Sequence, residues 1–185
     1  MALAVLLSAN GINSILGGFE TSRHVLVKRS FLRQYAVSLM LAIVLSLLLL
    51  VTVAAIVVAE VVLQTTKIDD VFSEKIPIIV YSRYIFVGLM ILCATSFLLK
   101  FGTKHTGKRS FISIGSVFTT ILIILSSYAF GIWVVKFSNY NELYGSIGTL
   151  LIFMFYIWIN CIVLLLGFEL NSAVNRAKHR SVFDR

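Results

Sequence analysis

The stretch AVSLMLAIVLSLLLLVTVAAIVVA, which occupies residues 36–59, decides the fold because it contains no charged side chain. A helix needs about 20 largely apolar residues to cross the hydrocarbon core of a bilayer, so a run of this length predicts a transmembrane helix. Two more uncharged runs occupy residues 110–135 and 143–168, and a fourth, residues 76–99, contains only one charge, at Arg83. The sequence therefore predicts four transmembrane helices, at 35–62, 76–99, 110–135 and 143–169.

The composition excludes an ordinary soluble domain. Hydrophobic side chains make up 59% of the 185 residues and charged ones 13%, and the mean hydropathy is +0.97. A soluble domain is about 45–50% apolar and about 25% charged, so this chain has too little polar surface to cover a globule in water. High hydrophobicity also excludes a disordered chain, and two cysteines are too few for a disulfide-stapled domain. The predicted class is an all-α polytopic transmembrane bundle.

The basic residues predict the orientation of this bundle. Three short segments, before the first span, between the second and third, and after the fourth, contain most of the 16 lysines and arginines. These are Arg23, Lys28, Arg29 and Arg33, then Lys100, Lys104, Lys108 and Arg109, then Arg176, Lys178, Arg180 and Arg185. Because basic loops stay in the cytoplasm, both termini and the tail 170–185 are predicted to be cytoplasmic, with residues 60–75 and 136–142 outside.

The net charge of +8 is then mainly a topology signal that favours contact with anionic lipid headgroups. Nucleic-acid binding is not expected, because no aromatic residues interleave with the basic clusters in a recognisable binding module.

The beginning of the chain, MALAVLLSANGINSILGGF over residues 1–19, is apolar and uncharged, but Ser8 and Asn10 interrupt it too early for a full span. A secretory signal would need a basic first region and a cleavage site, and neither is present. Residues 1–34 are therefore predicted to form a partial helix followed by a cytoplasmic basic segment. The helix is interpreted as the inner end of a longer one.

Several motifs match one known family in order and spacing. They are SANGINSI near the start, FISIGSVFTTILIIL, and YGSIG followed by GFELN in the last span. With these, the chain resembles the YihY/virulence factor BrkB family of bacterial inner-membrane proteins, some of which carry the older label ribonuclease BN. The motif residues are Asn10, Gly11, Tyr144, Gly145, Ser146, Gly148, Glu169 and Asn171.

The resemblance implies a multi-pass protein of the bacterial plasma membrane. Relatives look to have about six transmembrane helices, so the chain is interpreted as the C-terminal two-thirds of a member, either as a fragment or as a natural short form. One position departs from the family pattern, because Ile114 stands where relatives tend to have proline before Gly115.

No cluster in the sequence points to catalysis. His24, His105 and His179 lie in basic stretches without an Asp, Glu or Cys at metal-ligand spacing. A ribonuclease of the metal-dependent kind would need grouped carboxylates or histidines around the phosphodiester, and there is no phosphate-binding glycine loop. We therefore expect no catalytic residue, no metal site and no cofactor.

Three polar residues in or next to apolar spans are the candidate ligand or coupling residues, because such groups are costly in a membrane. Glu169 could respond to protons or cations or contact a substrate headgroup, or it could pair with Arg176 or a basic loop. Arg83 could bind a lipid phosphate, or its long stem could carry the charge outward to water. Asn160 could line a cavity or hydrogen-bond between helices.

Glycines in the last two spans predict close helix packing or, alternatively, a hinge for alternating access. These are Gly131, Gly145, Gly148 and Gly167.

Two functions of different class follow from these features. The first hypothesis is a non-enzymatic inner-membrane protein that transports or handles a lipid or another amphiphilic molecule. The alternative is a structural or assembly protein whose helices bind a second copy of the chain or a membrane partner. A membrane-embedded enzyme would need catalytic residues from outside this sequence.

Overall fold

The computed structural model describes residues 2–22, 30–65, 76–102, 111–136 and 140–183, with side chains at 3–22, 30–58, 61, 83–102, 111–135 and 147–177. Its regular elements are five helices, and the described residues contain no strand. The helices are α1 (Ala2–Glu20), α2 (Phe31–Thr65), α3 (Ile76–Phe101), α4 (Ile114–Lys136) and α5 (Tyr140–Phe183).

Four of the five helices are long and apolar enough to cross a membrane, which confirms the predicted class. The spanning segments are Phe31–Val58, Arg83–Phe101, Ile114–Val135 and Ile147–Ala177. Helix α1, with 19 residues, is not among them. Helix α5 has 44 residues and continues without a break through the segment predicted as a tail. At about 1.5 Å per residue, α5 is about 65 Å long, roughly twice the apolar thickness of a bilayer.

The last two helices pack antiparallel along much of their length. Gly115 of α4 lies against Asn171 of α5, and one turn later Thr119 lies against Gly167. Two turns further along α4, the Ser127 and Tyr156 hydroxyls are 2.8 Å apart. This register brings the start of α4 to the last third of α5.

The other helices pair in the same up-and-down manner. Ser38 of α2 donates a hydrogen bond to the Asn13 side chain of α1 at 3.4 Å, near the end of α1. The hydroxyls of Thr95, late in α3, and Thr120, early in α4, are 3.1 Å apart. The end of α1, the start of α2, the end of α3, the start of α4 and the last third of α5 therefore share one end of the bundle. We call it the basic end, because Arg33, Lys100 and Arg176 lie there.

The packed core lies at this basic end. The stacked rings of Phe19 and Phe168 occupy its middle, with centroids 4.6 Å apart and planes at 12°. The remaining members of the cluster are Leu16, Leu41, Leu98, Leu99 and Leu164, from α1, α2, α3 and α5. Away from the basic end, α2 and α5 expose large apolar side chains, for example Leu50 and Phe153. Lipid tails are as apolar as these side chains, so such a surface suits a bilayer and not water.

Helix α4 begins at Ile114 with a cap made of two serines. The Ser116 N–H donates to the Ser113 hydroxyl at 3.1 Å, and the Ser113 N–H donates to the Ser116 hydroxyl at 2.9 Å. This reciprocal cap satisfies two backbone donors, so the sequence supplies the helix start by hydrogen bonding.

Candidate functional site

Residues 164–172 of α5, which we call the α5 hub, contact helices on two sides. On one side the backbones of α4 and α5 approach so closely that a Cβ at Gly167 would overlap the Thr119 side chain. A Cβ at Gly115 would lie 2.6 Å from the Gly167 carbonyl oxygen and would overlap Asn171. The Thr119 hydroxyl donates to the Gly115 carbonyl at 2.7 Å, which fixes the side chain that fills this contact. Small residues thus determine the α4–α5 distance.

On its other side the α5 hub contacts α1 and, through α1, the end of α3. Phe168 stacks on Phe19, and a Cβ at Gly18 would lie 3.1 Å from the Leu165 side chain. A Cβ at Gly102, just after α3, would lie 2.8 Å from the Phe19 ring. The GFELN motif is therefore a packing junction: Gly167 and Asn171, one turn apart, contact α4, whereas Phe168 contacts α1.

Two carboxylates lie near this junction: Glu169 of the GFELN motif on α5, and Glu20 at the end of α1. Glu169 directly follows Phe168 and is half-buried. Glu20 directly follows Phe19 and is 8% exposed, which makes it the most buried carboxylate of the described residues. Glu20 is not among the residues predicted from the sequence, because α1 is too short for a full span and so gave no reason to expect a buried carboxylate at its end. Its position at the end of an uncharged 19-residue stretch was the available signal.

The other two candidate residues lie elsewhere. Asn160 is half-buried and donates a hydrogen bond to the Tyr156 carbonyl at 2.8 Å, a contact within its own helix. It lies nine residues before Glu169, about 13.5 Å along the helix axis. Arg83 is exposed on the half of α3 that is remote from the basic end. In the described residues, Glu169, Arg83 and Asn160 do not form one pocket.

The glycines that were predicted to pack closely have different surroundings in the structure. Gly167 is a close-packing position, whereas Gly131 is exposed and a Cβ there would meet no atom within 4 Å. Close packing at Gly131 is therefore not found, because the α4 face that carries it has no described neighbour. Gly148 is buried. The side-chain surroundings of Tyr144, Gly145 and Ser146 lie outside the described residues.

The two motif residues in α1, Asn10 and Gly11, are exposed. A Cβ at Gly11 would meet no atom within 4 Å. They lie on the part of α1 that the described helices leave uncovered.

Nine polar side chains of the described residues are buried, and most of them lie at the basic end. The nine are Glu20, Ser38, Thr95, Ser96, Ser116, Thr119, Thr120, Asn171 and Ser172. Hydroxyls that bond to the backbone of their own helix or across to a neighbouring helix are a common way to join transmembrane helices. The oxygens of Ser96 and Ser172 have no hydrogen-bond partner within the described structure.

The described residues contain no group of three or more His, Cys, Asp or Glu side chains that could hold a metal ion. His24 and His105 and the side chain of His179 lie outside the described residues. Cys93 and Cys161 are free thiols, both half-buried in their helices.

Comparison with known proteins connects this arrangement to a family. The sequence profile described as virulence factor BrkB matches residues 1–184. The chain is 29% identical over 179 residues to the putative ribonuclease-like protein YfkH of Bacillus subtilis (strain 168), covering 95% of this chain and 65% of that protein. It is 41% identical over 54 residues to a UPF0761 membrane protein of Kangiella koreensis, covering 29% of this chain and 14% of that protein.

The chain thus spans less than two-thirds of the length of these curated relatives. No solved structure matches it. The profile match covers nearly the whole sequence and includes the GFELN segment that forms the α5 hub. The chain belongs to the virulence factor BrkB family.

Proposed function

We propose that this chain belongs to a non-enzymatic protein of the bacterial inner membrane that binds and moves a lipid or another amphiphilic molecule. Both termini and the basic end face the cytoplasm in this proposal, because basic segments flank that end of the bundle. Membrane lipids are then its first partners, and no nucleic acid is involved.

The position of Glu169 carries the proposal. An ionisable side chain within an apolar span is costly, and where it occurs it commonly lines a substrate or ion pathway. Glu169 lies in the span Ile147–Ala177, half-buried, between Phe168, which is fixed on α1, and Asn171, which is fixed on α4. Its backbone is therefore held in place by contacts on both sides.

The distribution of polarity along the bundle supports an amphiphilic ligand. Buried hydroxyls, the Asn171 amide and two carboxylates lie at the basic end, and exposed apolar side chains cover the remainder of the spans. A molecule with a polar headgroup and long apolar chains has the same distribution. A water-soluble ligand would gain nothing from the exposed apolar surface.

The test is lipid movement across vesicles that contain the longest form of the protein. Fluorescent phospholipid in the inner leaflet is followed as it becomes accessible to an impermeant quencher. We expect Glu169→Gln to slow this movement at least tenfold, with Arg83→Gln and Asn160→Ala tested singly and in combination. Arg33→Gln is the matched control, because it removes an exposed charge at the same end of the bundle. Unchanged binding and flux in the triple variant would contradict these site assignments.

The absence of catalysis is part of the same proposal. The name of YfkH describes a ribonuclease-like protein, and incubation of the purified chain with RNA and divalent metal ions tests that activity directly. Metal-dependent RNA cleavage that persists through purification and disappears on mutation of a residue of this chain would overturn the non-enzymatic assignment.

A second function, assembly with other membrane helices, is supported by a groove on α4. The groove has a volume of about 580 Å³ and is lined by Ser127, Tyr128, Gly131, Ile132 and Val135. Ser127 and Gly131 are four residues apart, a spacing of small residues that lets a partner helix approach closely. Gly131→Leu would then dissociate a complex that is visible by cross-linking, with a second copy or another membrane protein as the partner. A monomeric protein that moves lipid would exclude this alternative.

A further inference from the structure

Lys100 is the best-defined positive charge at the basic end. It lies in the last turn of α3 and is half-buried. Its Nζ atom is 5.7 Å from the centre of the Phe101 ring and 5.3 Å from that of Phe111. These distances are in the range of a cation–π interaction, which holds an ammonium group near aromatic rings while leaving its N–H donors available to an anion.

The aromatic rings around Lys100 form a fixed group. Phe97 stacks on Phe101 with centroids 6.0 Å apart, and it meets Phe111 edge-on with centroids 5.0 Å apart. Phe111 precedes α4 in the chain, so this group joins the end of α3 to the start of α4. Neither α3 nor α4 contains an Asp or Glu, and the two carboxylates described at this end, Glu20 and Glu169, belong to α1 and α5.

An apolar groove begins at the residue after Phe111. It has a volume of about 440 Å³ and is lined by Ile112, Ser113, Ile114, Val117, Phe118 and Ile121. Ile114, Val117, Phe118 and Ile121 follow the spacing of one helix face, so the groove runs from the basic end into the membrane span. The five apolar side chains of this lining are all exposed.

Two backbone donors at the helix start, the N–H groups of Ser113 and Ser116, are already bonded to the two serine hydroxyls. The formal positive charge next to this helix start is Lys100, which lies near the Phe111 ring.

From this juxtaposition we propose that Lys100 and the α4 groove form a binding site for one anionic phospholipid of the leaflet at the basic end. Lys100 binds the phosphate of the headgroup, and an acyl chain lies along Ile114, Val117 and Ile121. Lys100 is held near the ring of Phe111, the residue that precedes the apolar groove, and a cation at the start of such a groove complements an anionic headgroup attached to an acyl chain. This resident lipid is distinct from the transported molecule of the proposed function, so loss of lipid flux would leave the site intact.

The test measures retention of phosphatidylglycerol by the full chain in phosphatidylcholine nanodiscs doped with that lipid, by native mass spectrometry. A basic residue near a membrane surface contributes about 1 kcal/mol, so Lys100→Gln is expected to weaken phosphatidylglycerol binding about fivefold relative to phosphatidylcholine. Lys100→Arg should restore it. Arg176→Gln, which removes an exposed charge at the same end, should change binding less than twofold.

A second pair of variants tests the groove separately from the charge. Val117→Trp fills the groove beside Lys100 and should release the lipid. Ile132→Trp adds the same side chain to the other α4 groove, which lies near the opposite end of α4 from Lys100 and Phe111, and should not. This pair keeps Lys100 and therefore also decides the matter if Lys100→Gln fails to fold.

Three results would overturn the proposal. Equal losses in Lys100→Gln and Arg176→Gln would mean that only the general surface charge attracts the lipid. Displacement of phosphatidylglycerol by millimolar inorganic phosphate would mean an anion site without an acyl-chain contact. Unchanged retention in both Lys100→Gln and Val117→Trp would mean that no such site exists.

Discussion

Replacement of Gly167 by alanine tests whether the α4–α5 contact sets the stability of the bundle. A Cβ at this position would overlap the Thr119 side chain and lie 3.3 Å from the Gly115 carbonyl oxygen. Thr119 is fully buried and its hydroxyl is bonded to that carbonyl, so the side chain cannot move without losing this bond. The helices must separate or the bond must break.

The expected magnitude combines three terms. Overpacking of a close contact costs about 1–3 kcal/mol, and a lost hydrogen bond costs about 1 kcal/mol. Alanine in place of a helical glycine returns about 1 kcal/mol through its better helix propensity. We therefore expect Gly167→Ala to lower the free energy of unfolding by about 1–3 kcal/mol. Gly131→Ala is the matched control on α4: its Cβ meets no atom, so only the favourable term of up to about 1 kcal/mol applies.

The assay is reversible unfolding in mixed micelles, followed by tryptophan fluorescence. The chain has two tryptophans, Trp133 on α4 and Trp158 on α5, so the signal reports on the helix pair that the substitution perturbs. Thr119→Ala removes the hydroxyl that lies closest to the new Cβ and leaves the Thr119 Cβ 2.9 Å away, so the double variant should recover part of the loss in a double-mutant cycle. A Gly167→Ala protein as stable as Gly131→Ala, or no recovery in the double variant, would refute the reasoning.

Three further outcomes follow from other contacts. Phe168→Ala removes the ring stacked on Phe19 at 4.6 Å and should cost about 3–5 kcal/mol in the same unfolding assay, whereas a cost near zero would show that α1 is not held by this ring. Ser113→Ala removes the cap of α4 and should cost about 1 kcal/mol and speed amide exchange in the first turn of α4 only, so unchanged exchange would contradict the cap. Thr21, exposed just after α1, should as a single cysteine react with an impermeant maleimide only after cells are permeabilised, and labelling of intact cells would reverse the proposed orientation.

The number of spanning helices could be predicted because it depends on a property of the linear sequence. An uncharged run such as residues 36–59 can satisfy its backbone in lipid only as a helix, whatever packs against it. The ends of the helices were predicted less accurately than their number. The structure begins α2 at Phe31 and continues α5 to Phe183, because backbone hydrogen bonding continues where hydropathy falls.

The packing junction could not be predicted, because it depends on distances between helices. Gly131 and Gly167 are both glycines within apolar spans, so the sequence does not distinguish them. In the structure, a Cβ would meet open space at Gly131 and the Thr119 side chain at Gly167. Glu20 was likewise missed because its burial requires α2, α3 and α5 to surround the end of α1. Glu169 could be recognised in the sequence as a carboxylate that follows an uncharged run, but its placement between contacts with α1 and α4 is visible only in three dimensions.

The unbroken length of α5 has a mechanical consequence. From the α5 hub at Gly167 to Tyr140 the helix runs for about 40 Å, so a tilt of about 10° around the hub would displace its first residue by about 7 Å. The hub holds α5 near the basic end, and the Ser127–Tyr156 hydroxyl contact joins α5 to α4 farther along, so the two helices would tilt together as one rigid unit about the hub. A change of a fraction of an ångström where Phe168 meets Phe19 would be amplified into a displacement of several ångströms on the opposite side of the membrane.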